Sequence, residues 1–367
     1  MAGNSKVSKI SKRSRVVKEV DGLSDLPDNI LHHILSFLDT KSAVQTSLLS
    51  RRWRCCWKHV PVLYFRPLSF TTYSSFRKHV CRVLSRRFHN TPVRNVTFEV
   101  YEDEWNDIFQ KTFEKIMKYA ASNGDGGGLH SLTIICDEFF ELDFREHLAD
   151  CITAAHHNES LKTMKLVGCN LKTGALDLGF RSLTTLELYK CSLETVNPFA
   201  NLPCLNYLKI LECFVYHTDF LMISGLQLLD LEIKIDFYDE YEVLAPKLKS
   251  LRLCLWGDNL HNYLPKLTVP VLDHANIYLW WNRPDIEASM VEVNRAFVDF
   301  LLTLRNAESV KLRFDKFGAG DEDWEEHHFP LRRIKALLET EVPSFTRLKS
   351  LTIQSAHQDK PPEYLTR

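Results

Sequence analysis

The sequence predicts an α/β chain in which a small N-terminal helical module precedes a long, irregular solenoid built on a parallel sheet. Three observations carry this. Apolar residues between positions 22 and 60 recur at helical spacing. Beyond residue 90 the frame Leu-x-x-Leu-x-Leu returns at a nearly constant step. The two parts also differ in charge: residues 1–94 hold 18 Lys/Arg against 5 Asp/Glu, whereas residues 95–367 hold 28 against 42. The net charge of −1 over 367 residues therefore conceals two segments of opposite character.

The first 20 residues are polar and basic (Lys6, Lys9, Lys12, Arg13, Arg15, Lys18) and lack apolar periodicity, which predicts a disordered arm. Lys12–Arg13–Ser14–Arg15 is the kind of basic run that can serve as a nuclear address, and a solvated tail is the plainer reading. No apolar core of a secretory signal is present, and no run reaches the roughly 18 apolar residues of a membrane span. The ten cysteines are accordingly expected as thiols in a reducing compartment. The sequons at Asn95 and Asn158 then carry no weight.

In the module, Ile30, Leu31, Ile34, Leu35, Phe37 and Leu38 give a helix with a wide apolar face. Pro27 suits the first helical turn, and Asp25 and Asp28 complement its dipole. Asp39–Thr40 offers a second N-cap, followed by Val44, Leu48 and Leu49 on one side. Trp53 and Trp57 share the face of a third short helix at i, i+4. So many large apolar side chains exceed what about 40 residues can bury alone, and a partner or the following domain must cover some of them.

The solenoid is read from its frames. Leu161/Met164/Leu166/Cys169/Leu171, Leu183/Leu186/Leu188/Cys191/Leu193 and Leu205/Leu208/Ile210/Cys213/Val215 are the clearest copies. Leu228/Leu231/Ile233, Leu248/Leu251/Leu253 and Leu272/Ala275/Ile277 continue the series. From 161 to 272 the steps are 22, 22, 23, 20 and 24 residues, within the roughly 20–29 of a leucine-rich repeat. The last two apolar positions of each frame should point inward from a short strand, and strands of neighbouring repeats should stack in parallel. Cys169, Cys191 and Cys213 stand where a small side chain turns into the loop, as buried structural thiols. Weaker copies begin at Val93, Leu129, Ala307 and Leu348, and their longer steps leave room for helices over 107–121 and 291–305.

Little in the chain points to catalysis. Metalloprotease, serine-hydrolase and phosphate-loop motifs are missing, and Gly124–Gly128 matches neither dinucleotide nor phosphate-loop spacing. The histidine doublets 32–33, 156–157 and 327–328 are poor chelators because adjacent side chains diverge, so no metal or cofactor is expected. Two acidic clusters, Asp321–Glu326 around Trp324 and Asp236, Asp239, Glu240 and Glu242 with Tyr238 and Tyr241, read as solvated loop faces able to grip a basic peptide. Trp256, Trp280 and Trp281 follow strand frames of adjacent repeats and are candidates for substrate contact on the rim, or for the core. The basic residues from Arg51 to Arg94 raise a nucleic-acid reading, but the helices lack a polar recognition face and the basics form no stripe.

Leu26-Pro27-Asp28-Asn29-Ile30-Leu31-His32-His33-Ile34-Leu35-Ser36-Phe37-Leu38 followed by Ser47-Leu48-Leu49-Ser50-Arg51-Arg52-Trp53 closely resembles an F-box, and with the repeats behind it the chain resembles a plant-type F-box/leucine-rich-repeat protein. The resemblance implies a substrate-recognition subunit of a Skp–cullin–F-box (SCF) ubiquitin ligase, without catalysis of its own, working in the nucleus or cytoplasm. It implies docking to a Skp-type adaptor, and through it to cullin, by Leu26, Pro27, Ile30, Leu31, Ile34, Leu35, Leu38, Val44 and Leu48, with Trp53 packing the module or its junction. A scaffold or decoy with a working F-box and no productive substrate is the alternative. The resulting organisation is a basic arm (1–20), an F-box (22–62), a linker or first irregular repeat (63–92), the repeat domain (93–355) and a polar tail (356–367). Many relatives of this kind continue past the Pro343–Ile353 element with further repeats and a C-terminal domain, so the resemblance supports adaptor docking more strongly than substrate reception.

Overall fold

The computed structural model describes residue 23 and residues 26–88, 90–100, 107–122, 128–136, 142–143, 160–172, 174–176, 180–215, 220–235, 240–257, 264–269, 272–281, 290–316 and 347–356. The basic arm, most of the polar tail, and the acidic stretch around Trp324 lie outside these residues, as do Asp236, Tyr238 and Asp239.

Helices α1 (Asp28–Ser36), α2 (Thr40–Gln45) and α3 (Trp53–Cys56) form the N-terminal module. Pro27 stands at the N-cap of α1, one residue before the predicted first turn, and its carbonyl accepts from Ile30 and Leu31. Asp39 caps α2, accepting from the Ser42 backbone N–H at 3.0 Å, which satisfies one of the orphan amides of a helix start. Trp53 and Trp57 are both buried.

The solenoid follows with no free linker. Strand β1 (Val62–Phe65) is already the first of eleven parallel strands. After it come β2 (Asn95–Val100), β3 (Ser131–Cys136), β5 (Thr163–Val167), β7 (Thr185–Tyr189), β9 (Tyr207–Leu211), β12 (Asp230–Ile235), β14 (Ser250–Gly257), β16 (His274–Trp281), β17 (Ser309–Lys316) and β18 (Ser350–Ala356). The pairing is in register from end to end, so Met164, Leu186, Leu208, Leu231 and Leu251 form one inward row and Leu166, Leu188, Ile210, Ile233 and Leu253 the next. All ten are buried. This is the stacking that the frame demands, since a single repeat cannot cover its own apolar face. At β18 the same positions, Leu351 and Ile353, are 38% and 36% exposed, because among the described residues this strand has a neighbour on one side only.

Long connections carry helices: α4 (Tyr73–Arg86) before β2, α5 (Asp107–Ser122) before β3, and α6 (Met290–Thr303) before β17. The regular central repeats instead return through short strands. These make a four-stranded sheet of β4 (Leu142–Asp143), β6 (Cys169–Leu171), β8 (Ser192–Leu193) and β10 (Phe214–Val215), and a three-stranded sheet of β11 (Phe220–Ser224), β13 (Glu240–Leu244) and β15 (Lys266–Thr268). Tyr241, assigned by sequence to an acidic loop face, is buried on β13. The alternation of β13 turns Tyr241 and Val243 inward, and burial pushes the Tyr241 phenol well above its ordinary range.

Between β5 and β6 the chain turns at Gly168 (φ 66°), and the equivalent turns use Lys190 (φ 50°) and Glu212 (φ 53°). Each left-handed residue donates its N–H to the next repeat, to the carbonyls of Tyr189, Leu211 and Lys234 respectively. That conformation is costly for the two non-glycines, on the order of 1 kcal/mol each. The cysteine that follows each turn, Cys169, Cys191 or Cys213, is buried and donates back to the carbonyl two residues earlier. Cys136 extends the ladder, with its sulfur 3.6 Å from that of Cys169.

Candidate functional site: the apolar face of the helical module

Helix α1 carries two apolar stripes about one residue, or 100°, apart. Leu31 and Leu35 make one and are 0% and 1% exposed. Ile30, Ile34 and Phe37 make the other, where Ile30 is exposed, Ile34 is half-buried and Phe37 is 73% exposed. The turn that closes α2 adds Leu48 and Leu49 at 87% and 65% exposure. Leu26, Leu38 and Val44 are half-buried and rest against the core, and Pro27 is exposed.

The nine sequence-derived docking residues therefore divide. Leu31 and Leu35 belong to the core of the module: with no exposed surface they hold α1 in place and offer nothing to a partner. Ile30, Leu48 and Pro27 are open, and Leu26, Ile34, Leu38 and Val44 are open in part. Phe37 and Leu49 join the exposed set although the sequence-derived set omits both. The helical spacing from Ile30 through Ile34 to Phe37 was available to reveal the first of these.

Side-chain contacts link α1 to the segments around α3. The Arg52 guanidinium reaches Asp28 at 2.7 Å and ties the segment before α3 to the first turn of α1. That hydrogen bond holds the Asp28 carboxyl below its usual range. His32 lies 5.5 Å from His59, ring to ring, and its partial burial lowers its basicity, with the charge of His59 acting in the same sense.

The module is also welded to the solenoid. The Tyr64 backbone N–H donates to Thr40 Oγ1 at 2.9 Å. Lys41 donates to the Ser69 carbonyl and sits 4.5 Å over the Phe70 ring. Arg87, 4% exposed, crosses back to the Val60 carbonyl at 2.7 Å. Its burial pulls the guanidinium below its ordinary range, with the Tyr119 phenol opposing. Just after β1, Arg66 pairs with the buried Glu99 at 3.0 Å, and Tyr64 of β1 donates to the same carboxylate. Lys41, Arg52, Arg66 and Arg87 are thus each engaged by a partner within the chain, and Arg87 is buried.

Elsewhere, an open cleft of about 630 Å³ lies between α6 and β15, with Leu267, Val269, Leu302 and Thr303 in its wall and the exposed Asp299 and Arg305 beside it. Its size suits a small molecule, but its two charged groups do not converge on an enclosed point. Among the described residues no cluster of three or more His, Cys, Asp or Glu is placed to hold a metal. No helix among them is long and apolar enough to cross a membrane. Of the candidate substrate contacts, Trp256 and Trp280 are partners in the β14–β16 register, and Trp281 pairs with Gly257.

Comparison with known proteins places a family match on the helical module. Residues 23–65 match the family model for the F-box domain. Over 255 residues the chain is 31% identical to an F-box/FBD/LRR-repeat protein of Arabidopsis thaliana, covering 66% of this chain and 48% of the relative. It is 27% identical over 307 residues to an F-box/LRR-repeat protein of the same plant, covering 80% and 60%, and 28% identical over 257 residues to a putative F-box/LRR-repeat protein, covering 70% and 46%. The chain spans about half the length of the curated relatives it matches.

Proposed function

We propose that the chain is a substrate-recognition subunit of an SCF-type ubiquitin ligase. Its F-box docks a Skp-type adaptor, and through it a cullin, while the repeats present a protein substrate in the nucleus or cytoplasm. The observation that carries this reading is the exposure of Phe37, Leu48 and Leu49 on a module that buries its own core elsewhere. Large apolar side chains left in water this way mark an interaction surface. In this reading the chain contributes proximity: it holds a substrate lysine near a charged enzyme supplied by its partners. The rigid junction through Thr40, Val60 and Arg87 serves that task, because a fixed angle between the docking face and the sheet fixes where the substrate sits.

Reconstitution tests the reading. With adaptor, cullin and ubiquitin-charged enzyme present, a protein captured by the repeats is expected to acquire ubiquitin only when the full chain is included. Capture without modification would favour the scaffold or decoy reading instead.

A further inference from the structure

The open face of the large sheet, the side away from the leucine rows, carries an alternating charge series in one register row. Lys165, Glu187, Lys209, Glu232 and Arg252 follow one another on β5, β7, β9, β12 and β14. Glu232 shows how the series works. Its carboxylate is bridged by cations from both flanking strands, Lys209 at 3.2 Å and Arg252 at 3.1 Å. Tyrosines support the acids from the same face: the Tyr189 hydroxyl donates to Glu187 at 3.3 Å and that of Tyr207 to Glu232 at 3.4 Å.

On β16 the alternation calls for a carboxylate, and the residue in register is Asn276. The next strand resumes with a cation, Lys311. Arg252–Asn276–Lys311 thus repeats the cation–acid–cation arrangement around Glu232 with its acid replaced by a neutral amide. Tyr278 stands two residues after Asn276, as Tyr189 stands after Glu187. Lys311 is half-buried and has no ion-pair partner among the described residues. Arg313 follows it on the same face, and the next acidic position in register is Asp315, one row further.

We propose that this gap is a docking point for an acidic side chain of an extended peptide segment, seated over Asn276 between Arg252 and Lys311. The spacing fits. Arg252 and Lys311 lie two strands apart, about 10 Å, and Arg252, whose Nη1 already donates to Glu232 on its other side, has further N–H donors to share with a carboxylate over β16. The Asn276 amide and the Tyr278 hydroxyl supply neutral donors. The surplus of acid elsewhere in the domain does not forbid this, since exposed charges beyond about 10 Å are screened at ordinary salt. The inference deepens the proposed function by naming an acidic substrate segment, and it rests on the repeats being the presenting surface.

The test uses the full chain without adaptor, so its outcome is independent of F-box docking. The probe is a fluorescent short peptide alternating glutamate and threonine, read by anisotropy, with a glutamine-for-glutamate version and a single-stranded oligonucleotide as competitors. Asn276→Asp fills the gap from within. It is expected to weaken the glutamate peptide by about tenfold while leaving the melting temperature unchanged or higher, because the new carboxylate pairs with Arg252 and Lys311. Lys311→Gln is expected to weaken it several-fold, whereas Lys165→Gln, on the same face five strands from Asn276, changes it less than about twofold. No binding, equal binding of the glutamine peptide, displacement by the oligonucleotide at equal concentration, or an unaltered affinity in Asn276→Asp would each overturn the proposal.

Discussion

Replacing Leu48 and Leu49 together by aspartate is expected to weaken adaptor binding by at least about a hundredfold while leaving the fold intact. Both side chains are largely in water in the free protein, so the fold loses almost no burial when they are changed. In a complex each leucine would contribute about 1.5 kcal/mol or more from apolar burial, and two such losses already approach a hundredfold. An aspartate carried into the same interface adds a desolvation cost to that loss. Titration calorimetry against a Skp-type adaptor, paired with a thermal melt of each protein, separates this from unfolding. Leu31→Ala or Leu35→Ala would lower the melting temperature first, because those residues are core. Full affinity in the double aspartate variant would remove these two residues from the docking surface.

Phe98→Ala is expected to cost about 3–5 kcal/mol of folding stability. Phe98 is fully buried on β2, with ring centroids 5.1 Å from Phe113, 5.2 Å from Phe109 and 6.3 Å from Phe76. It also pairs in register with Phe65 of β1, the strand that continues directly from the helical module. The cluster therefore joins α4, α5 and the first strands into the base on which the docking face stands. A large ring removed from the centre of such a cluster leaves a cavity that rigid neighbours cannot fill. Denaturant unfolding followed by near-UV circular dichroism measures the loss directly. A change below about 1 kcal/mol would mean that the cluster relaxes and that the junction is softer than its contacts indicate.

Most of the solenoid was legible because its information is periodic. A leucine frame repeating every 20 to 24 residues fixes both the strand and the face that turns inward, and Met164 through Leu253 follow it. The return legs were not legible in the same way. Phe220–Ser224 and Glu240–Leu244 alternate as strands do, yet acidic residues around Tyr241 resemble a loop until a neighbouring strand is there to pair with. The helical module posed a different difficulty. Both stripes of α1 are apolar, so composition identifies a surplus of hydrophobic surface without saying which stripe is covered. Packing of Leu31 and Leu35 against the rest of the module decides it and turns Phe37 out. The charge series on the open face sits at one fixed place in five consecutive frames, but its meaning depends on strands 20 or more residues apart being side by side.

In the proposed complex the helical module, and not the sheet, meets the adaptor. Amide hydrogen exchange on the full chain, with and without a Skp-type adaptor, tests it most directly. Slowed exchange is expected in α1 and across residues 46–50, with rates in β5 to β14 unchanged. Protection confined to the open face of the sheet, with α1 exchanging as in the free chain, would contradict it.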